Sequence, residues 1–352
     1  MVSVQCGASD SSLLSNKMMG GFAAKECPLR HVVTLSVAVW AALSLFVASA
    51  AAQQVYPNRS IRLIIPFASG SATDIGARLY AVELSKQMGQ QVVPDNRAGA
   101  GGAIGMQALV KSAPDGYTIA FAGPGPLAIN RSITPNLPYD VEKEVQAISQ
   151  AGSGPLFLAI SPTLPVKSVK ELIALAKAKP GQLANGSAGT GTIGHLAGEY
   201  FKMLSDTNIL HVPYKGGAQA ATDAMSGFIQ ILFDPASGVA PYIRTGRLRG
   251  LAVTGAVRTK AFPDLPTVAE AGVPGYEVTT WSGIIAPTGV PRAIVTRLSE
   301  EMQKAAGSAF VIERYALVGA DPVAGTPEAF EALIRQEFTK WATVVKRIGL
   351  KL

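Results

Sequence analysis

Cysteine is nearly absent from this 352-residue chain, and both cysteines, Cys6 and Cys27, precede an N-terminal apolar segment. Removal of that segment would leave no thiol, which excludes disulfides, a cysteine nucleophile and cysteine metal ligands. Histidine is also scarce, because only His195 and His211 follow the segment. Two histidines cannot form a three-histidine metal site, and neither lies in an H-E-x-x-H motif. We therefore expect no bound metal and no cofactor.

Charged residues make up only 16% of the chain, with a formal net charge of +7. The basic residues are scattered and form no run of the kind that binds nucleic acid, so we expect no nucleic-acid partner. No G-x-S-x-G elbow and no P-loop occurs. Asp74 and Asp234 could form an acid/base pair, although each also has an ordinary structural interpretation beside a strand or helix end. This shortage of catalytic groups predicts a protein that is not an enzyme.

The one long apolar run lies near the N-terminus, where residues 32–47 read VVTLSVAVWAALSLFV. Basic residues precede it, and Ala-x-Ala sites ending at Ala50 or Ala52 follow it. This order predicts a secretory signal peptide over residues 1–52. A membrane anchor is the alternative, but a bilayer span needs about 20 apolar residues. Export of a chain that then lacks cysteine favours the periplasm.

The remainder, about 300 residues, alternates strand-like and helical patterns. Strands are expected at 61–67, 91–93, 118–123, 156–160, 183–187, 209–213, 229–233 and 248–253, with helices between them and a helical tail from about 291 to 347. This alternation predicts open parallel sheets covered by helices. So many strands exceed one compact sheet and favour two α/β lobes. With crossovers near 152–154 and 281–283, the first lobe is 53–153 plus 281–352, and the second is 154–280.

Two glycine-rich loops each follow a predicted strand and open a predicted helix. They read PFASGSATDIGAR at 66–78 and NGSAGTGTIGHLAGE at 185–199. A helix N-terminus presents unpaired N–H groups and the positive end of the helix dipole, and glycine lets a ligand approach that backbone. The pattern therefore indicates an anion cradle that needs no arginine. Ordinary capping by Ser71 or Thr73 and by Thr192 is the competing interpretation.

The string GTGTIG at 189–194 also matches G-x-G-x-x-G. The acidic residue that a dinucleotide site places about 20 positions later is missing, which argues against a nucleotide. His195 follows this loop and could face a cleft, whereas His211 lies in an apolar strand and suits a core position. The aromatic residues near the loops could wall a ligand; they are Phe67, Tyr214, Phe233 and Trp281.

The sequence resembles the Bug family of periplasmic receptors of tripartite tricarboxylate transporters in several blocks that occur in order. These are YPNRSIRLIIPFASGSATDIGAR, NRAGAGGAIG, APDGYTIAFAG, LPYD, ANGSAGTGTIGHLAGE, VPYKGGAQA and GVPGYEVTTWSGIIAP. Together they span nearly all of the chain after the leader. The resemblance implies an α/β, type II periplasmic-binding-protein fold, in which two lobes with parallel-rich sheets close on a ligand in the cleft between them.

The resemblance also implies which residues bind. The first loop would grip a ligand carboxylate through Ser69, Gly70, Ser71, Ala72, Thr73 and Asp74, beside Phe67. The second would do so through Ser187, Ala188, Gly189, Thr190, Gly191 and His195. Further pocket residues are expected at Tyr214, Lys215, Gly216, Gly217 and Asp234. The implied partners are a small carboxylate and the membrane subunits of a transporter, and we expect a monomer.

The sequence departs from the family pattern at several of these positions, which leaves the ligand's identity open. Ser71 stands where a second glycine is usual, Asp95 replaces a common glutamate, and the segment 123–132 lacks its usual threonine and histidine. Two other functions also fit the residues: a sensor that presents its ligand to a membrane signalling partner, and a periplasmic hydrolase using Asp74 or His195.

Overall fold

The structure, a computed structural model, describes residues 56–350 and, of Val318, only the backbone. The expected signal peptide and both cysteines lie outside the described residues. The strands are β1 Ile61–Ile65, β2 Val92–Asn96, β3 Thr118–Ala122, β4 Val145–Ile160, β5 Ala184–Ser187, β6 Leu210–Pro213, β7 Ile231–Pro235, β8 Arg249–Val253, β9 Thr279–Pro287 and β10 Asp321–Pro322.

Helices lie between most of the strands and in the C-terminal region, whereas residues 254–278 between β8 and β9 contain none. They are α1 Ala72–Met88, α2 Ala103–Val110, α3 Asn130–Ile133, α4 Val141–Glu144, α5 Val169–Ala178, α6 Ile193–Ser205, α7 Gly217–Ser226, α8 Ala236–Arg244, α9 Arg292–Ala306, α10 Ala309–Val318 and α11 Pro327–Ile348. Within 56–350, no helix is long and apolar enough to cross a bilayer.

The strands form a mixed sheet in the order β2-β1-β3-β9-β4-β7-β5-β6, with β8 and β10 also paired to β4. The pairs β1–β2, β1–β3, β5–β6 and β5–β7 are parallel. Strands β4 and β9 run antiparallel to each other, and they also run antiparallel to β7 and β3 respectively. The sheet is therefore mixed: the expected parallel pairing occurs at its two ends, whereas β4 and β9 pair antiparallel with each other and with their neighbours at the centre.

Strand β4 divides the sheet into two halves. Residues 145–155 pair with β9, and residues 156–160 pair with β7. We call β1, β2, β3, β9 and residues 145–155 the first half-sheet. The second half-sheet is residues 156–160 with β5, β6, β7 and β8. The sequence indicated a strand only from 156, because register shifts between Ala147 and Ser149 and between Gln150 and Gly152 interrupt its alternation.

The two segments expected to be crossovers lie side by side, since Ser153 is opposite Trp281 in the β4–β9 register. Both are strand, not connecting loop. The proposed lobe boundaries at these positions stay a prediction.

Of the two expected caps of α1, Ser71 is the one observed, since the helix begins at Ala72. Two smaller expectations need correction. Strand β7 extends to Pro235, so Asp234 is part of the strand and does not follow it. The helical tail contains one short strand, β10, which pairs with Gly152 and Ser153 of β4.

The core continues on both faces of the first half-sheet. In β1, Leu63 and Ile65 pack with Tyr80 of α1, whereas Ile64 packs in a cluster on the other face. All of these side chains are fully buried. Burial of one such aliphatic side chain contributes about 1.5–3 kcal/mol. A strand buried on both faces is rigid, and β1 therefore fixes the position of the loop that follows it.

Candidate ligand-binding site

The first glycine-rich loop joins β1 to α1 and is held by its own hydrogen bonds. The hydroxyl of Ser71 accepts from the backbone N–H of Asp74 at 3.2 Å, which is the N-cap contact. Gly70 has φ +78, a left-handed conformation that favours glycine. The capping interpretation is thus correct for Ser71.

The carboxylate of Asp74 is fully hydrogen-bonded to groups in and beside this loop. Its buried carboxylate accepts from the backbone N–H of Gly70, from Nε of Arg78 and from Nδ2 of Asn96, each at 2.9 Å. Burial alone would raise the pKa of Asp74, but these hydrogen bonds outweigh it and hold the pKa below its ordinary value. The side chain therefore stabilises the loop as an anion and has no free oxygen for acid/base work.

The second glycine-rich loop joins β5 to α6 and is built around Gly189. The carbonyl oxygen of Gly189 accepts from the hydroxyl of Ser187 at 3.0 Å and from that of Thr192 at 2.7 Å. Thr192 holds the N-cap position, but its side chain makes no capping bond to α6. The first N–H groups of α6 are therefore left without a side-chain acceptor.

His195 supports this loop from behind. Its Nδ1 accepts from the backbone N–H of Gly191 at 3.2 Å, and its ring stacks on His211 with centroids 3.8 Å apart. Nε2 of His211 is 2.7 Å from the hydroxyl of Ser187. Burial, with the neighbouring His211 and Lys202, lowers the pKa of His195 to about 3, and burial and Lys202 lower that of His211 to about 4. Both rings are neutral near pH 7.

Asp234, at the end of β7, contrasts with Asp74. It is 6% exposed, it accepts no hydrogen bond from the described residues, and its Oδ2 has no partner there. A β-carbon on Gly217 would lie 2.7 Å from Oδ1, and one on Gly238 would overlap Oδ2. Glycine at both positions makes room for the carboxyl. Burial raises the pKa of Asp234 to about 7.

A cavity of about 470 Å³ is lined by residues of β4 and β9 and takes walls from both half-sheets. Seven of the expected site residues line it: Phe67, Ser71, Ala72, Thr73, Ala188, Gly217 and Asp234. The others support or flank the loops without lining it: Ser69, Gly70, Asp74, Ser187, Gly189, Thr190, Gly191, His195, Tyr214, Lys215 and Gly216. Tyr214 donates to Asp223 at 2.8 Å, and Lys215 is exposed.

Four helices begin at the cavity. The lining residues in their first turns are Ala72 and Thr73 of α1, Ile193 and Gly194 of α6, Gly217 of α7, and Ala236 and Ser237 of α8. The first N–H groups of any helix lack an intrahelical acceptor. The sequence indicated only two of these helix starts. The Gly-Gly pair at the start of α7 and the Asp-Pro pair before α8 were the signals for the other two.

Apart from Trp281, sequence reasoning missed the residues that form the floor of the cavity, and it also missed two arginines that line it. The floor comprises residues 152–155 of β4 and 280–282 of β9, which meet only through long-range pairing. Arg244 of α8 and Arg314 of α10 line the cavity as exposed side chains. Of the aromatic residues expected to wall it, Phe67 and Trp281 do so. The described residues 56–350 hold no group of three or more His, Cys, Asp or Glu placed to bind a metal ion.

The loops of the two half-sheets also touch each other beside the cavity. A β-carbon on Gly101 would overlap the carbonyl oxygen of Thr190, and one on Gly216 would lie 3.0 Å from Cβ of Ala68. Within the first half, Nδ2 of Asn130 donates to the carbonyl of Gly101 at 3.1 Å and holds that loop in place. The approach of Gly101 to Thr190 and of Gly216 to Ala68 brings the loops of the two half-sheets together.

Comparison with known proteins shows that the chain is similar to one family along most of its length. Residues 76–350 match the sequence profile described as the tripartite tricarboxylate transporter family receptor. The chain is 37% identical to Protein BugT of Bordetella pertussis over 318 residues, which is 89% of this chain and 98% of BugT.

Solved structures give the same result for the fold. A Rhodopseudomonas palustris protein solved with adipate is 36% identical, with a TM-score of 0.82 over 84% of this chain and 99% of that one. MatC from the same organism, solved with bound malate, is 28% identical, with a TM-score of 0.79 over 82% and 100%. The expected periplasmic-binding-protein fold of the Bug type is thereby confirmed.

Proposed function

Because the chain belongs to the tripartite tricarboxylate transporter receptor family of Bug-type solute-binding proteins, we propose that it is a periplasmic receptor that captures a small carboxylate and delivers it to the membrane subunits of such a transporter. The observation that carries this proposal is the convergence of four helix N-termini on one cavity. Solute-binding is the activity of this family, and no catalytic step is needed.

The helix starts supply the binding chemistry. Each N-terminus offers free N–H donors and about half a positive charge, so together they favour an anion without a basic side chain in contact with it. Ala72 and Thr73 present such groups from the first half-sheet. Ile193 and Gly194 present them from the second. One carboxylate held by both pairs would bridge the two halves.

The apolar parts of the cavity fit the rest of the ligand. Phe67, Phe121 and Trp281 line it, and the volume of about 470 Å³ suits a molecule of small-metabolite size. Relatives solved with adipate and with malate make aliphatic dicarboxylates the first candidates. Arg244 and Arg314 provide positive charge at the other end, where a second carboxylate would be favoured.

Capture and release follow from the contacts between the loops. A ligand that bridges α1 and α6 has more partners when the two halves are close, so its binding shifts the equilibrium toward the closed form. Two lobes are proposed to move against each other: the first is residues 53–153 with 281–352, and the second is residues 154–280.

The receptor is proposed to be exported by its N-terminal segment. It is also proposed to act as a monomer, and size-exclusion chromatography with light scattering would test that oligomeric state.

Thermal unfolding in the presence of acids tests the binding proposal directly. Adipate, malate, a tricarboxylate, an amino acid and an aromatic acid form the panel. An acid at 100 times its dissociation constant should stabilise the protein by about 2.7 kcal/mol. Uncharged diamides of the same acids are the control. An unfolding temperature unmoved by every acid of the panel would count against carboxylate capture.

A further inference from the structure

Asp234 is unusual among the acidic side chains of the described chain because it is buried without a hydrogen bond. The carboxyl is 6% exposed, and no polar group within 56–350 satisfies its Oδ2. An unpaired carboxylate in such a place is costly, since burial disfavours the charged form strongly. The group lines the same cavity as the helix N-termini. The carboxyl can therefore be stabilised in two ways: by a hydrogen bond to the ligand, or by taking up a proton and becoming neutral.

The surroundings of Asp234 are arranged for the carboxyl itself. Gly217, in the first turn of α7, and Gly238, in the first turn of α8, both lack the β-carbon that would collide with its oxygens. A β-carbon on Gly238 would also lie 3.6 Å from Cβ of Ala72, the first residue of α1. Asp234 thus sits where the starts of three helices meet, on the side of the cavity that faces the first loop.

No neighbouring side chain neutralises it. Strands β4 and β5, which flank β7, contain no charged residue. Among the other packed elements, Asp74 of α1 is paired with Arg78, Asp223 of α7 accepts from Tyr214, and His195 of α6 is neutral behind the second loop. The remaining groups at the cavity are Tyr315 and the rim arginines Arg244 and Arg314, none of which hydrogen-bonds Asp234.

We propose that Asp234 enters the complex as a neutral carboxylic acid that donates a hydrogen bond to a carboxylate oxygen of the ligand, so that binding is linked to one proton. An ionised Asp234 would repel an anion in the same cavity. The protonated form instead places one hydrogen between its own oxygen and the carboxylate oxygen of the ligand, so that both oxygens have a hydrogen-bond partner. This inference rests on the proposed function and adds that the receptor selects the anion together with a proton from solvent. Burial already raises the pKa of the free group to about 7.

Titration calorimetry with adipate and with malate between pH 6.5 and 8.5 tests the linkage, because the carboxyls of both probes are ionised throughout that range. With only the protonated receptor competent, affinity should fall roughly 20-fold across it, for a pKa near 7. Asp234→Asn keeps the shape and an N–H donor, so it should bind with little dependence on pH. Asp206→Asn, at a fully exposed carboxylate, is the control and should retain the wild-type slope.

Two results would overturn the proposal while leaving carboxylate capture intact. One is wild-type affinity that does not change with pH. The other is loss of binding in Asp234→Asn at pH 6.5, which would mean that an ionised Asp234 accepts from a hydroxyl or ammonium group of the ligand.

A measurement without ligand keeps the test independent of the proposed function. The unfolding temperature of Asp234→Asn minus that of the wild type should be larger at pH 8.5 than at pH 5, because the buried charge is present only at the higher pH. A difference that is the same at both pH values would overturn the proposal, even if neither acid bound at any pH.

Discussion

Gly101 packs against the carbonyl oxygen of Thr190 so closely that a β-carbon at residue 101 would overlap that oxygen. The two residues come from loops of different half-sheets, beside the cavity at which the helices begin. The contact leaves no room for a β-carbon at residue 101, so we expect the proposed closure of the cavity to depend on it. Binding and closure are therefore expected to be sensitive to single methyl groups at such positions.

Gly101→Ala should weaken ligand binding at least tenfold, because the added methyl group keeps the two loops apart. Calorimetry with the acid that gives the largest thermal shift measures the affinity. Small-angle scattering with and without that acid measures closure. Gly101 has φ +60, so part of any effect is backbone strain.

Gly89→Ala is the matched control for that strain. Gly89 has φ +67, but a β-carbon there would have no atom within 4 Å. It should lower the free energy of unfolding by about 1 kcal/mol and leave affinity unchanged. Equal affinity in Gly101→Ala and Gly89→Ala would show that the contact with Thr190 has no part in binding.

Gly217→Ala should weaken binding by a different route. Its β-carbon would lie 2.7 Å from Oδ1 of Asp234 and would displace that carboxyl into the cavity. We expect an affinity loss of more than tenfold at pH 6.5, measured by calorimetry. Gly307→Ala, whose β-carbon would make only ordinary contacts beyond 3.5 Å, should bind like the wild type. Unchanged affinity in Gly217→Ala would remove Gly217 from the site.

The parts of this site that local sequence fixes were predictable. Both glycine-rich loops follow a strand and place a hydroxyl residue at the N-cap position, although only Ser71 makes the capping bond. Their strand–loop–helix geometry is therefore encoded within about fifteen residues. The orientation of His195 was not predictable. Helical spacing places it one turn after Gly191, but its ring stacks on His211 of β6 and does not line the cavity.

Long-range pairing explains the rest of what the sequence did not reveal. The cavity floor depends on the register that brings Ser153 opposite Trp281, more than a hundred residues apart. The alternation of β4 is broken by bulges, which hid its first eleven residues. Arg244 and Arg314 lie on the exposed faces of helices. An arginine that faces open solvent and one that lines a cavity occupy the same kind of position in the helical pattern, so the sequence could not distinguish them.

Asp74→Asn should destabilise the protein by about 1–3 kcal/mol, the range for losing hydrogen bonds to a buried charge. Urea unfolding at pH 7 measures this. The pKa of Asp74 is lowered in the folded protein, so its contribution is present above the unfolded pKa and is lost as the pH falls through the folded one. The matched variant is Asp115→Asn, which breaks an exposed pair with Arg59 and should cost less than about 1 kcal/mol. Equal costs for the two variants would contradict the role given to Asp74.

The stacked histidines should make the protein sensitive to acid. Their pKa values are lowered to about 3 and about 4, whereas in the unfolded chain they titrate near 6.5. Stability is therefore complete above pH 6.5 and falls as the pH drops toward the folded values. The double variant His195→Gln with His211→Gln should lose less stability than the wild type between pH 6.5 and 4.5, measured by urea unfolding. Parallel losses in the two proteins would contradict burial of neutral rings.

A crystal structure with the best-binding acid of the panel tests the proposed capture most directly. The carboxylate oxygens are expected within hydrogen-bond distance of the backbone N–H groups of Ala72 or Thr73 and of Ile193 or Gly194, so that one group bridges both half-sheets. An acid bound outside this cavity, or held there without contact to either helix start, would contradict the binding mode proposed for this receptor.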